Sequence, residues 1–195
     1  MKKLMFTALA VLGFTFANAQ EGSEGYANGD VFISGAFNYT STKTGDVKDS
    51  SFEIAPRIGF FVSDNIAIGG KIGYLSAKEE DGVGGEITDN TLSVGAFGRY
   101  YFTPSSKFSV FGELGVDYVS NTIDNGVGEL KTSGFGAAFG PGVNYFLSSN
   151  FALEAYWGAF GYASVKPDID GAESTNVFTF GADLRDISLG LVYKF

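Results

Sequence analysis

The chain ends on Ser188-Leu189-Gly190-Leu191-Val192-Tyr193-Lys194-Phe195, SLGLVYKF. Leu189, Leu191, Tyr193 and Phe195 share one parity, while Ser188, Gly190 and Lys194 share the other, so an extended backbone places the large apolar groups together on one face. A chain end is ordinarily where order decays. A terminal phenylalanine in phase with an apolar face reads instead as a strand held in a wall.

The same period of two runs back through the sequence. In residues 52–60 the even positions are Phe52, Ile54, Pro56, Ile58 and Phe60, and the odd ones Glu53, Ala55, Arg57 and Gly59. From residue 66, Ile66, Ile68, Ile72 and Tyr74 alternate with Ala67, Gly69, Lys71 and Gly73. Further segments of this kind cover 31–41, 91–102, 108–120, 132–146, 151–161 and about 183–195, which makes eight strands. Short polar links rich in turn formers fall at 63–65, 103–107 and 148–150, and longer ones at 42–50, 78–90, 121–131 and 162–182. Alternating short and long connections describe an antiparallel up-and-down meander with tight turns at one end and long loops at the other. NVFTFGA, residues 176–182, is a candidate extension of a strand. The segments FFVSDNIAIGG, YYFTPSSKFSVFGE and YFLSSNFALEA around the short links repeat one grammar, with Phe61, Phe102 and Phe146 in matching places, as hairpins in series would.

Alternation alone fits a soluble barrel as well as a membrane one, and the second face decides between them. In a soluble barrel it meets water and is dominated by polar groups. Here it carries Gly59, Gly69, Gly73, Gly95, Gly115, Gly136, Gly140 and Gly158, interrupted by Glu53, Arg57, Lys71, Arg99, Glu113, Asp117, Glu154, Asp186 and Lys194. Small side chains with a few long charged ones suit the crowded interior of an eight-stranded barrel. The nine charges nearly balance, so the expectation is a closed network rather than an open conduit, because unpaired buried charge is costly. Arg57, Arg99 and Glu113 are expected at its centre.

The opposite face then meets lipid. Phe60, Tyr100, Phe102, Phe108, Tyr145 and Phe151, with Tyr193 and Phe195, lie beside the short turns, and Tyr39, Phe52, Tyr74 and Tyr118 approach the long loops, giving an aromatic girdle at each interface. Trp157 is read as a further outward interface anchor. From Phe108 to Tyr118 a tilted strand covers about 25 Å, the height of an outer-membrane apolar band. An open sheet edge in hydrocarbon would strand backbone polar groups, so the last strand must pair with the first.

The N-terminus sets the compartment. Lys2 and Lys3 precede an apolar run over 4–16, and Ala17-Asn18-Ala19 supplies small residues for cleavage. The run is too short to span a bilayer as a helix, so 1–19 is read as a signal peptide and 20–195 as one barrel domain. Losing Lys2 and Lys3 takes the formal charge from -9 to about -11, which argues against nucleic acid as a partner. The chain contains no cysteine, which excludes disulfide and thiol chemistry, and no histidine.

The terminal LGLVYKF resembles the assembly signal of bacterial outer-membrane barrels, here Leu189, Leu191, Tyr193 and Phe195. Together with FFVSDNIAIGG, YFLSSNFALEAYWGAFGY and ANAQ, the chain resembles the porin-like outer-membrane β-barrel family of Gram-negative bacteria, of the OmpX and OmpA-barrel type, over nearly all of 20–195. The resemblance implies an eight-stranded antiparallel transmembrane barrel in the outer membrane, with short periplasmic turns, long extracellular loops and delivery by the barrel assembly machinery. Unlike full-length OmpA, the chain shows no C-terminal peptidoglycan-binding domain, so that anchoring role is not implied. Small outer-membrane enzymes of hydrolase, acyltransferase and protease type rely on histidine, so no enzyme is expected; separately, no residue pattern calls for a cofactor or a metal. The acids Glu79, Glu80, Asp81, Glu86 and Asp89, and the DIDGAE run at 168–173, are expected to be solvated loop charge rather than a Ca²⁺ site, since the full ligand spacing is missing. The expected function is a structural or surface-interaction role, as a monomer whose loops meet an extracellular ligand of unknown kind. A small channel or hydrophobic-ligand transporter is the alternative, and a soluble periplasmic ligand-binding barrel a third.

Overall fold

The computed structural model describes residues 24–82, 84–181 and 187–195. Among these the regular structure is all strand, in the order β1 (Val31–Thr44), β2 (Val47–Phe61), β3 (Ile66–Glu80), β4 (Glu86–Tyr101), β5 (Phe108–Asp124), β6 (Glu129–Phe146), β7 (Phe151–Trp157), β8 (Phe160–Pro167), β9 (Thr175–Phe180) and β10 (Ile187–Lys194). Each strand is antiparallel to its neighbours. The ring closes through β1–β10 and β5–β6, so β1 to β7 and β10 form an eight-stranded barrel, while β8 and β9 form a further hairpin pair continuing its seventh and eighth wall strands. The signal peptide expected at 1–19 lies outside the described residues, as does Asp186.

The seventh wall strand is broken where the sequence forbids a regular ladder. Gly142 pairs with Tyr156 and Phe139 with Phe160, leaving Gly140 and Pro141 opposite three residues, Trp157, Gly158 and Ala159. Pro141 has no amide hydrogen to donate, and one extra residue on the facing strand makes a bulge there. Pro56 acts similarly: the β2–β3 ladder skips Ala55 and Pro56 between Ile54↔Tyr74 and Arg57↔Lys71.

The excursions away from the short turns are hairpins more than loops. β1 and β2 stay paired to Thr44↔Val47 around Gly45 and Asp46, with Gly45 at φ +64°, where a residue without Cβ is at ease. β5 and β6 stay paired to Asp124↔Glu129. Most of the 42–50, 78–90 and 121–131 intervals is therefore strand, because backbone polar groups pair with each other even where apolar alternation lapses. Residues 175–180 form a strand paired with β8, where the NVFTFGA pattern offers one.

Strand parity sorts the side chains as expected. Phe60, Ile68, Leu114, Phe135 and Leu191 face outward, with Phe60 46% and Leu191 60% exposed to whatever surrounds the barrel. Phe32, Phe61, Ala67, Tyr101, Phe111, Phe146 and Val192 face inward and are buried.

Candidate functional site: a two-layer plug in the lumen

The inward face builds two layers. Nearest the short turns is an aromatic layer. Phe32, Phe61, Phe97, Tyr101, Phe111 and Phe146 form a single buried cluster with Tyr26, which reaches in from the segment before β1. Tyr26 stacks on Phe61 at 4.6 Å between ring centroids and meets Phe146 edge-on at 4.9 Å. The glycines of the inner face provide the space: a Cβ at Gly59 would run into the Phe32 ring, at Gly69 into Phe97 and at Gly142 into Phe111. The charged lumen read from the sequence is therefore only half of the filling. Phe61, Tyr101 and Phe146 are each the second member of an aromatic doublet, and it is Tyr101, not Phe102, that matches Phe61 and Phe146 in turning inward.

Above this layer lies the charge network. Arg99 on β4 is 1% exposed; its Nε donates to Glu113 Oε2 at 2.7 Å, its Nη1 to Glu154 Oε2 at 2.6 Å and its Nη2 to Glu154 Oε1 at 3.0 Å. Arg57 on β2 donates through Nη1 to both Glu113 oxygens at 3.1 Å. Glu113, also 1% exposed, thus bridges two guanidinium groups. Asn144 Nδ2 donates to Glu154 Oε2 at 3.0 Å, and the Tyr101 hydroxyl donates to Asn144 Oδ1 at 3.3 Å. The Arg99 guanidinium lies 4.2 Å from the Phe111 ring centroid and 5.0 Å from that of Phe97, so it caps the aromatic layer through its π faces. Charge is tolerated here because each ion is both paired and hydrogen-bonded.

The residues singled out from the sequence separate into groups. Arg57, Arg99, Glu113 and Glu154 are one connected network. Lys71 and Asp117 form their own pair at 2.8 Å. Lys194 sits at the opposite end, bonded to Asp30 at 3.6 Å and to the Gly25 carbonyl at 2.6 Å. Glu53 is exposed and outside the network. Tyr101, Asn144, Asp30 and Tyr26 belong to the site, yet sequence reading passed over them. Inward parity marks Tyr101 and Asn144, but a neutral polar group on that face carries no charge by which sequence alone would pick it out. Among the interface aromatics, Tyr39, Phe60, Tyr74, Tyr100, Phe102, Phe108, Tyr118, Tyr145 and Phe151 point outward and exposed, and Trp157 is half-buried beside the bulge. Among the described residues no group of three or more acidic side chains is gathered so as to hold a cation.

Two cavities flank the plug. One of about 490 Å³ lies in the lumen above it, lined by Arg57, Lys71, Asp117 and small residues such as Ala55, Gly136 and Ala163. The other, about 390 Å³, lies where β1 and β10 part. Among the described residues their ladder runs from Phe32↔Lys194 to Gly35↔Leu191, although residues 36–39 and 187–190 are strand on both sides.

A closed antiparallel barrel with an apolar outer face and a packed lumen that holds paired charges is an integral outer-membrane protein. The chain belongs to the family described as outer membrane protein beta-barrel domain, which matches residues 6–195, and its place is the bacterial outer membrane. Its fold is similar to that of the outer membrane protein OprG from Pseudomonas aeruginosa, at 18% identity and a TM-score of 0.57, over 89% of this chain and 99% of that one. It is also similar to the outer membrane protein W of E. coli, at 16% identity and a TM-score of 0.52, over 87% of this chain and 100% of that one. No curated protein matches the chain in sequence.

Proposed function

We propose that the protein is a structural, surface-interactive barrel whose lumen is shut and whose projecting hairpins make its contacts outside the cell. The observation that carries this reading is the Arg99 network: one guanidinium joins Glu113 and Glu154 across the lumen, directly above a continuous aromatic layer. Hydrated ions have no path through paired charges backed by packed rings. In this reading residues 1–19 are a cleaved signal peptide, residues 20–195 a single monomeric barrel, and Leu189, Leu191, Tyr193 and Phe195 the signal read by the assembly machinery. No catalytic role, cofactor or metal enters it. Recording from single molecules in a planar bilayer tests it. The expected trace is silent; a steady conductance altered by Arg57→Ala or Glu113→Gln would overturn the shut lumen.

The fork between β1 and β10 favours a second reading, a transporter of hydrophobic ligands with a lateral path. The cavity in the fork touches Arg57 and Tyr156 on the lumen side and Phe37, Ile187 and Leu189 at the wall, and an apolar groove lined by Ile54 and Leu191 lies just outside. Closing the fork with an Ala36→Cys, Gly190→Cys disulfide should abolish passage of a fluorescent fatty acid into vesicles if this path operates. Equal passage in the reduced and oxidised forms would remove the reading.

A further inference from the structure

Among the described residues, the ladder that closes the barrel is its shortest. β1 and β10 share four residue pairs, whereas β1 and β2 share fourteen. Residues 24–30, which precede β1, lie across the mouth of the barrel at the short-turn end and touch both sides of this seam. The Lys194 ammonium, buried on the closing strand, donates to the Gly25 carbonyl at 2.6 Å and pairs with Asp30 at 3.6 Å. The Tyr26 amide donates to the Pro104 carbonyl in the β4–β5 turn at 2.7 Å, and Lys107 of the same turn pairs with Glu24 at 2.8 Å. Gly29 donates to the Phe61 carbonyl and Phe61 to that of Asp30, both at 2.9 Å.

The seat for Tyr26 is a product of closure. Its ring, 3% exposed, rests on Phe32 of β1, Phe61 of β2, Tyr101 of β4 and Phe146 of β6, which surround one point only when the sheet has become a ring. Gly25 has φ +104°, and a Cβ there would lie 2.5 Å from the Ser105 carbonyl carbon, so the segment reaches its seat only through a glycine. A group that binds the closed form and not the open one stabilises closure, and the effect is reciprocal.

We propose that residues 24–30 are a latch: Tyr26 seats in the closed mouth, Gly25 and Asp30 grip Lys194 on the last strand, and the short β1–β10 seam is held shut by this grip. Withdrawal of the latch loosens that seam in preference to the rest of the wall, which makes the N-terminal segment the control point for the fork above it. The inference holds whether the lumen is shut or serves a lateral path.

Amide hydrogen exchange on the full chain in lipid vesicles tests the latch. Gly25→Ala and Tyr26→Ser unseat it without touching the C-terminal signal. The expected result is at least tenfold faster exchange at residues 32–35 and 191–194 in both variants, with residues 114–118 and 135–139 of the β5–β6 ladder unchanged. Lys194→Met should reproduce the loss and Lys194→Arg should spare it. Unchanged seam exchange in Gly25→Ala and Tyr26→Ser, or an equal acceleration in both ladders, would overturn the proposal, since the second pattern is what general destabilisation produces.

Discussion

Arg99 and Glu154, on wall strands three positions apart, meet across the lumen through two hydrogen bonds, Nη1 to Oε2 at 2.6 Å and Nη2 to Oε1 at 3.0 Å. The pair is parallel and two-pronged, which fixes both side chains in orientation as well as distance. It ties β4 to β7 through the interior, where no backbone ladder joins them. Breaking it from one side differs from removing it whole. Glu154→Leu leaves the Arg99 guanidinium with Glu113 as its remaining carboxylate partner, beside the Tyr101 hydroxyl, and a cost of about 3–5 kcal/mol is expected. In the double variant Arg99→Met, Glu154→Leu, Glu113 keeps Arg57, and much of that loss should return. Urea unfolding in vesicles, followed by the heat-sensitive electrophoretic shift of folded barrels, measures both. A double variant less stable than Glu154→Leu would contradict this account.

Gly59 and Phe32 sit on paired strands, with the ring lying where a Gly59 side chain would stand. Gly59→Val should destabilise the barrel by about 1–3 kcal/mol, the usual range for overpacking. Adding Phe32→Ala should recover part of the loss, because the pair shares one volume. Additive effects in the double variant would show that the glycine serves another purpose.

Phe195 donates its amide to the Val31 carbonyl at 3.0 Å, and its ring meets Tyr193 edge-on at 4.9 Å. Deleting Phe195 removes a bond across the short seam and the outward ring that ends the apolar face. Folded protein in the outer-membrane fraction should fall to a minor share, while Phe195→Tyr should retain it. Normal membrane yield after the deletion would separate this residue from assembly.

Burial holds the Tyr26 hydroxyl well above the usual tyrosine pKa, with Tyr101 and Glu154 raising it further and Arg99 acting against them. The seated phenol is therefore neutral where an unseated one, titrating near 10, has begun to ionise. The contribution is complete below pH about 10 and is lost as pH climbs past it. The groups around the segment are Tyr101, Arg99, Glu154, Asp30, Lys194 and the Lys107–Glu24 pair. Exchange at residues 191–194 should accelerate above pH about 10 beyond the intrinsic rise, and Tyr26→Phe should remove the step. The same step in Tyr26→Phe would assign it to the lysines.

Legibility in the sequence followed the physics of each feature. Where one face was uniformly apolar and the other small or charged, as at 52–60 and 188–195, parity alone separated lipid from lumen. It failed at Phe60-Phe61, Tyr100-Tyr101 and Tyr145-Phe146, since two adjacent aromatics carry no alternation, and so the inner layer stayed hidden. Beyond the membrane the apolar signal faded although the ladder continued, and hairpin walls read as loops. Tyr26 lay outside any strand pattern.

By itself the sequence determined the class: a period of two, with large apolar groups on one face and glycine and sparse charge on the other, leaves a closed transmembrane barrel as the arrangement that satisfies every backbone group in lipid. Tertiary structure alone decided which charges meet, that aromatic rings share the lumen with them, and that the seam is short and clasped by the preceding segment. Those outcomes depend on shear and on distances across the ring, such as Arg99 to Glu154 at a separation of 55 residues, which no local pattern along one strand encodes.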